Sequence, residues 1–195
     1  MPSPSLPHPA ALPSLPPSAL NAVLDTLFEP SGHLHDLASP LFEEHFSSYP
    51  DLIDAVKSRL AALADSAAQP GNDDNARVLY DILGSHPRLG ASRSNNSHLS
   101  ESSRLEQANL AAPDNGDSEA DQLRRLNAEY EEKFPGLRYV VFVNGRGRDV
   151  IMQNMRERIQ RGDVNLEIQE TIQVSFPSEH SPVHTPYTPF RNFHV

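Results

Sequence analysis

The chain has 195 residues, a formal net charge of −10 and no cysteine. An acidic surface repels phosphate backbones, which makes nucleic acid a poor partner. The missing thiol excludes disulfides, thiolate catalysis and Cys-ligated zinc. The longest apolar run, Tyr139 to Val143, is far too short to span a bilayer, so a soluble protein with no membrane partner is expected.

The first 17 residues hold seven prolines and no charge. Such a stretch has little to bury, so residues 1–17 are expected to be disordered. Without Lys or Arg they also match neither a mitochondrial presequence nor a secretory signal. A helical domain is expected over residues 18–174. Leu20, Val23, Leu24, Leu27 and Phe28 keep helical spacing behind Ser18, a candidate N-cap. A short helix is expected at Leu34 to Ala38, stopped by Pro40, and another turn or two at Leu41, Phe42 and His45. Asp51 is the expected start of the next helix, with Leu52, Val56, Leu60 and Leu63 as its inner stripe. Pro70-Gly71-Asn72-Asp73 breaks the pattern. Helix resumes from about Asp74 to Leu83, with Ala76, Leu79 and Leu83 on one face.

Residues 91–98 read as loop, Ser100 to Ala111 as helix, and Pro113-Asp114-Asn115-Gly116 as a turn. Leu123, Leu126, Tyr130 and Phe134 mark a longer helix that ends at Pro135-Gly136. Arg138 to Asn144 has the composition of a strand. One strand cannot form a sheet, so it is expected to be a buried extended connector within an all-α, single-domain bundle. Ile151, Met155 and Ile159 then recur every four residues up to Arg161-Gly162. A last helix fits Asn165 to Val174. Residues 175–195, with four prolines and three histidines, read as an irregular tail.

Few places carry chemistry. His86 stands just past a helix end, and Pro87 forbids continuation while Gly90 permits a tight turn. Two readings stay open for it. One is a histidine favoured by the helix dipole. The other is a general acid/base, since an imidazole titrates near neutrality. Ser103-x-x-Glu106 is also double-edged. It is a capping box if the helix starts at Ser103. If the helix starts at Ser100, Ser103, Glu106 and Gln107 share one face and present a hydroxyl, a carboxylate and an amide. Arg146 and Arg148 suit either a carboxylate clamp or a solvated loop. Arg156, Arg158 and Arg161 fall near a helix C-terminus, where cations are favoured. His33-x-His35 and His180-x-x-x-His184 have metal-like spacing but no carboxylate set, so no metal site is expected.

Taken in order, several of these segments resemble the OHCU decarboxylase family. They are Leu20-Asn21, Phe28-Glu29-Pro30-Ser31, His86-Pro87-Arg88-Leu89-Gly90 and Ser103-x-x-Glu106-Gln107-Ala108. Leu126-Asn127-x-x-Tyr130, Phe134 through Arg146 and Met155-Arg156-x-Arg158 continue the series. The end of the chain has the look of a fungal branch with an atypical C-terminus. The family decarboxylates 2-oxo-4-hydroxy-4-carboxy-5-ureidoimidazoline to (S)-allantoin in urate breakdown.

The resemblance implies an all-helical fold, a homodimer, a small-molecule ureidoimidazoline substrate and no metal or organic cofactor. It makes His86 the catalytic histidine with Glu106 as its carboxylate partner. Ser103 and Gln107 would contact the ureido or ring amides, and Pro87 would shape the wall beside His86. Val140, Val141, Phe142 and Val143 would line the pocket with backbone groups. The family's substrate-binding arginine near the C-terminus has no counterpart, because the pattern changes at Ser175-Phe176-Pro177. Relatives suggest cytosol or peroxisome, and Asn192-Phe193-His194-Val195 forms no import tripeptide.

Overall fold

Helices follow wherever the apolar periodicity is 3.6, and their starts are set by caps and prolines. The computed structural model describes residues 6–90, 117–142 and 146–176. Helix α1 (Pro17–Leu27) is entered through Pro16, with Pro17 at its first position. There the missing N–H is no loss, so prolines rather than Ser18 open this helix. Helix α2 (Gly32–Ala38) is capped by Ser31, whose side chain accepts from Leu34 N. Leu41 and Phe42 lie in a 3-10 turn over Ser39–Glu43 and are buried. Helix α3 (Tyr49–Ala67) starts two residues earlier than expected, because Ser48 caps it by accepting from Asp51 N at 3.3 Å. Helix α4 (Asp73–Gly84) follows a turn in which Gly71 has φ +85.

Helix α5 (Asp117–Lys133) carries Leu126 and Tyr130 into the core, and Phe134 follows just past its end. Helix α6 (Arg148–Arg161) ends on Gly162 in the left-handed conformation, the usual C-terminal device. Helix α7 (Val164–Ser175) is capped by Asp163, which accepts from Leu166 N at 3.0 Å. Helices α3 and α4 pack on one another, α7 lies against both, and α5 packs on α6. No strand occurs among the described residues. The fold is a single all-α domain, as expected. No helix among the described residues is long and apolar enough to cross a membrane.

The extended connector holds too. Leu137, Tyr139, Val140 and Val141 are buried without helical structure. Buried backbone needs partners, and Arg158 Nη1 donates to the Val140 carbonyl at 2.9 Å. Tyr139 donates its hydroxyl to Asn154 Oδ1 at 2.8 Å.

Three expectations change. The N-terminal stretch is not disordered over residues 6–17. Pro9–Ser14 form a 3-10 turn, Leu12 is fully buried, and Tyr49 donates its hydroxyl to the Pro7 carbonyl at 2.6 Å. Prolines lower the entropy lost on ordering, so one well-placed leucine suffices to dock the segment. Burial pushes the Tyr49 phenol up to about 12. At the other end, Phe176 belongs to the core rather than to a tail, with its ring 4.7 Å from that of Phe28.

Arg158, finally, does lie in the last turn of its helix, but a favourable helix end is not its main setting. It is buried against Glu167 of α7, which is fully buried. Glu167 also accepts from the Tyr130 hydroxyl at 2.8 Å and from Arg161 at 3.0 Å. The guanidinium carbon of Arg158 lies 4.8 Å from the Tyr139 ring centroid, a cation–π distance. The expected helix from Ser100 to Ala111 falls outside the described residues.

Candidate active site

Two helix ends carry the candidate site. Helix α1 stops at Leu27, and the Phe28 N–H closes it on the Leu24 carbonyl at 2.7 Å. Only Glu29 and Pro30 separate that closure from Ser31, the cap of α2. Glu29 is therefore fixed between two helices, and it is buried at 6 % exposure. Helix α4 stops at Gly84, where Ser85 returns its hydroxyl to the Ile82 carbonyl at 2.7 Å. His86 and Pro87 come next, both partly exposed. A side chain at Gly84 would place its Cβ 2.7 Å from the Gly136 carbonyl oxygen, so the helix end just before His86 packs directly on the turn after α5.

Desolvation pulls the His86 imidazole below its ordinary value, and the negative charge of Glu29 acts in the opposite direction. Part of the His86 surface remains accessible, yet burial is the larger influence. Burial thus outweighs any effect of the helix end on this imidazole. A histidine held mainly by a helix dipole would be raised. His86 is instead a desolvated imidazole with the charge of buried Glu29 in its field.

The charge of buried Glu29, which the sequence offered only as part of a motif, thus reaches His86. A charged residue squeezed between Phe28 and Pro30 at a helix end was the available signal. Glu106, Ser103 and Gln107 lie outside the described residues, as does Val143. Val140 and Val141 are buried, and Phe142 is partly exposed. The Val140 carbonyl is engaged by Arg158 from inside the fold, so that part of the connector is held from beneath.

The two histidines of His33-x-His35 both pair with carboxylates. His33 Nδ1 lies 2.7 Å from Asp81 Oδ2, and His35 Nε2 lies 2.7 Å from Asp25 Oδ1. These pairs tie α2 to α4 and to α1. Among the described residues no group of three or more His, Asp or Glu side chains is placed to hold a metal ion.

The fold and this site define a class: an all-helical domain that places a desolvated imidazole just past a helix end, within the field of a buried carboxylate. The sequence profile of the OHCU decarboxylase family matches residues 13–174, and the chain belongs to that family. It is a family of decarboxylases in purine catabolism, which makes the chain a carboxy-lyase in kind. No curated protein matches the chain.

Proposed function

We propose that the chain converts 2-oxo-4-hydroxy-4-carboxy-5-ureidoimidazoline to (S)-allantoin, with His86 as the acid/base group. The observation that supports this most is a desolvated His86 imidazole under the charge of buried Glu29, in a chain whose family decarboxylates. The substrate carbon that loses carbon dioxide also bears a hydroxyl and adjoins a C=N bond. As the C–CO2 bond breaks, its electron pair moves toward that adjacent carbon and nitrogen. A neutral His86 takes the hydroxyl proton and returns it, as imidazolium, to one face of the adjacent ring carbon. Solvent supplies the proton that the ring nitrogen needs. Acid/base help of this kind is worth about 10²–10⁴-fold, and fixing the substrate's orientation adds to it.

In this reading Glu106 holds the substrate hydroxyl, and Ser103 and Gln107 bind the ureido or ring amides. Pro87 and the Val140–Val143 backbone shape the wall. No metal or organic cofactor is required. The proposal includes a homodimer, which light scattering on the eluted protein checks directly.

The substrate is made in place from urate with urate oxidase and hydroxyisourate hydrolase, and circular dichroism follows the (S) enantiomer. The expected result is a chiral signal that His86→Ala and Glu106→Ala each abolish without unfolding the chain. An optically silent product at high protein concentration rules the reading out. If Glu106→Ala mainly lowers the melting temperature, Glu106 is a helix cap rather than a substrate contact.

One observation favours a second reading, a catalytically impaired member that acts as a binding or assembly partner. The family match stops at residue 174, and no arginine lies between Gly162 and Phe176 to anchor the substrate carboxylate. The same assay separates the two, since an impaired member leaves the product racemic.

A further inference from the structure

The turn that carries His86 is fastened to α5, a helix to which the chemistry so far assigns nothing. Asn127 is buried at 5 % exposure. Its amide nitrogen donates to the Leu89 carbonyl at 3.0 Å and to the Leu123 carbonyl of its own helix at 2.9 Å. One buried side chain therefore ties the His86–Gly90 turn to the helix backbone.

One turn further along α5, Glu131 receives Arg88 in a two-pronged contact, Nε and Nη2 each 2.6 Å from a carboxylate oxygen. Arg138 adds a third contact to Glu131 at 3.0 Å. The Arg88 hydrogen bond, helped by the charges of Arg138 and Arg88, holds the Glu131 carboxyl below its usual range against the effect of burial. Gly90 closes the turn at φ +75, and a Cβ there would lie 2.6 Å from Leu123 Cδ2.

The spacing carries the argument. Asn127 and Glu131 stand four residues apart, on one face of α5. They grip Leu89 and Arg88, the residues two and three positions after His86 and immediately beyond Pro87. The proline fixes its own φ, so little freedom remains between the clamp and the imidazole. We propose that Asn127 and Glu131 are positioning residues, a two-point clamp by which α5 sets the placement of the His86 ring. This rests on His86 being the acid/base group. A misplacement of about 1 Å in such a group costs roughly 10²-fold in rate.

Asn127→Leu keeps approximate volume and removes both donated bonds. Leu126→Ala, next along the helix and equally buried, is the matched control that weakens the core without touching the turn. Both lower Tm. Only Asn127→Leu is expected to shift the His86 Cε1–H resonance and its titration midpoint in NMR. Only Asn127→Leu should lower kcat by about 10²-fold while KM stays within a few-fold. Glu131→Gln, at a more exposed position, gives the same pattern at smaller amplitude and serves if Asn127→Leu does not fold.

An unshifted His86 resonance in Asn127→Leu, or in Glu131→Gln where the first is unfolded, overturns the clamp. An equal shift in Leu126→Ala also overturns it. The resonance is read without substrate, so this arm stands even if the wild type yields only racemic product. In that case the proposed reaction fails while the clamp is judged separately.

Discussion

Replacing Glu167 should be the most damaging single polar change in the fold. Its carboxylate is fully buried and accepts from Tyr130 and Arg161 as well as pairing with Arg158, itself 4 % exposed. Glu167→Ala removes the counter-charge and leaves Arg158 with Glu170 at 3.2 Å and the Val140 carbonyl at 2.9 Å. Breaking a buried ion pair by removing one partner costs about 3–5 kcal/mol. For a domain of this size, 1 kcal/mol is worth roughly 2–4 °C, so Tm should fall by about 6–20 °C. That is a large share of a total stability of about 5–15 kcal/mol. Urea unfolding followed by far-UV circular dichroism measures it. The double variant Arg158→Met with Glu167→Leu should recover most of the loss, because replacing both ions with apolar side chains removes their desolvation cost. A loss below about 1 kcal/mol for Glu167→Ala would be that of a surface pair and would refute the account of the cluster.

Three further outcomes are expected. His86 is less basic folded than unfolded, so as pH falls below about 6.5 the unfolded chain takes up the proton first. Stability contributed by His86 is therefore full above that pH and declines down to the lower folded value. His86→Gln should flatten this part of the urea-midpoint profile, and an unchanged slope counts against it. Glu29→Gln removes the charge that favours the imidazolium, so the His86 NMR titration should move to lower pH, and an unmoved midpoint contradicts the pairing. Leu12→Ala should cost about 2–5 kcal/mol despite its place in a proline-rich leader, whereas a loss under about 0.5 kcal/mol, usual for surface sites, would show that the segment is not docked.

Much of this was legible in the chain because helices announce themselves by period and caps. The stripes Leu52-Val56-Leu60 and Ile151-Met155 lie where the pattern put them. Arg158 was placed correctly near a helix C-terminus, but its burial was missed because charge was weighed above register. It stands seven residues after Ile151 and three after Met155, on the inward face, and Glu167 likewise shares a face with buried Ile168 and Thr171. A charge on an apolar face that has an opposite charge on the next helix is the pattern to seek. Leu12 was missed because composition averages over a segment and cannot see one anchored side chain. Within the site, His86 was readable from its helix end and its proline. The influence of Glu29 on it was not, since a charged residue between Phe28 and Pro30 marks a helix end without saying which distant group its field reaches.

That last separation bears on how the protein matures. Glu29 and His86 each sit on a connection outside a helix, so neither α1 nor α4 holds any part of their encounter by itself. During refolding, helical dichroism should return while the pair is still apart, and the His86 environment should recover only when the ends of α1 and α4 dock. A population rich in helix yet chemically inert is then the natural intermediate. Catalytic competence would report completed assembly rather than secondary structure.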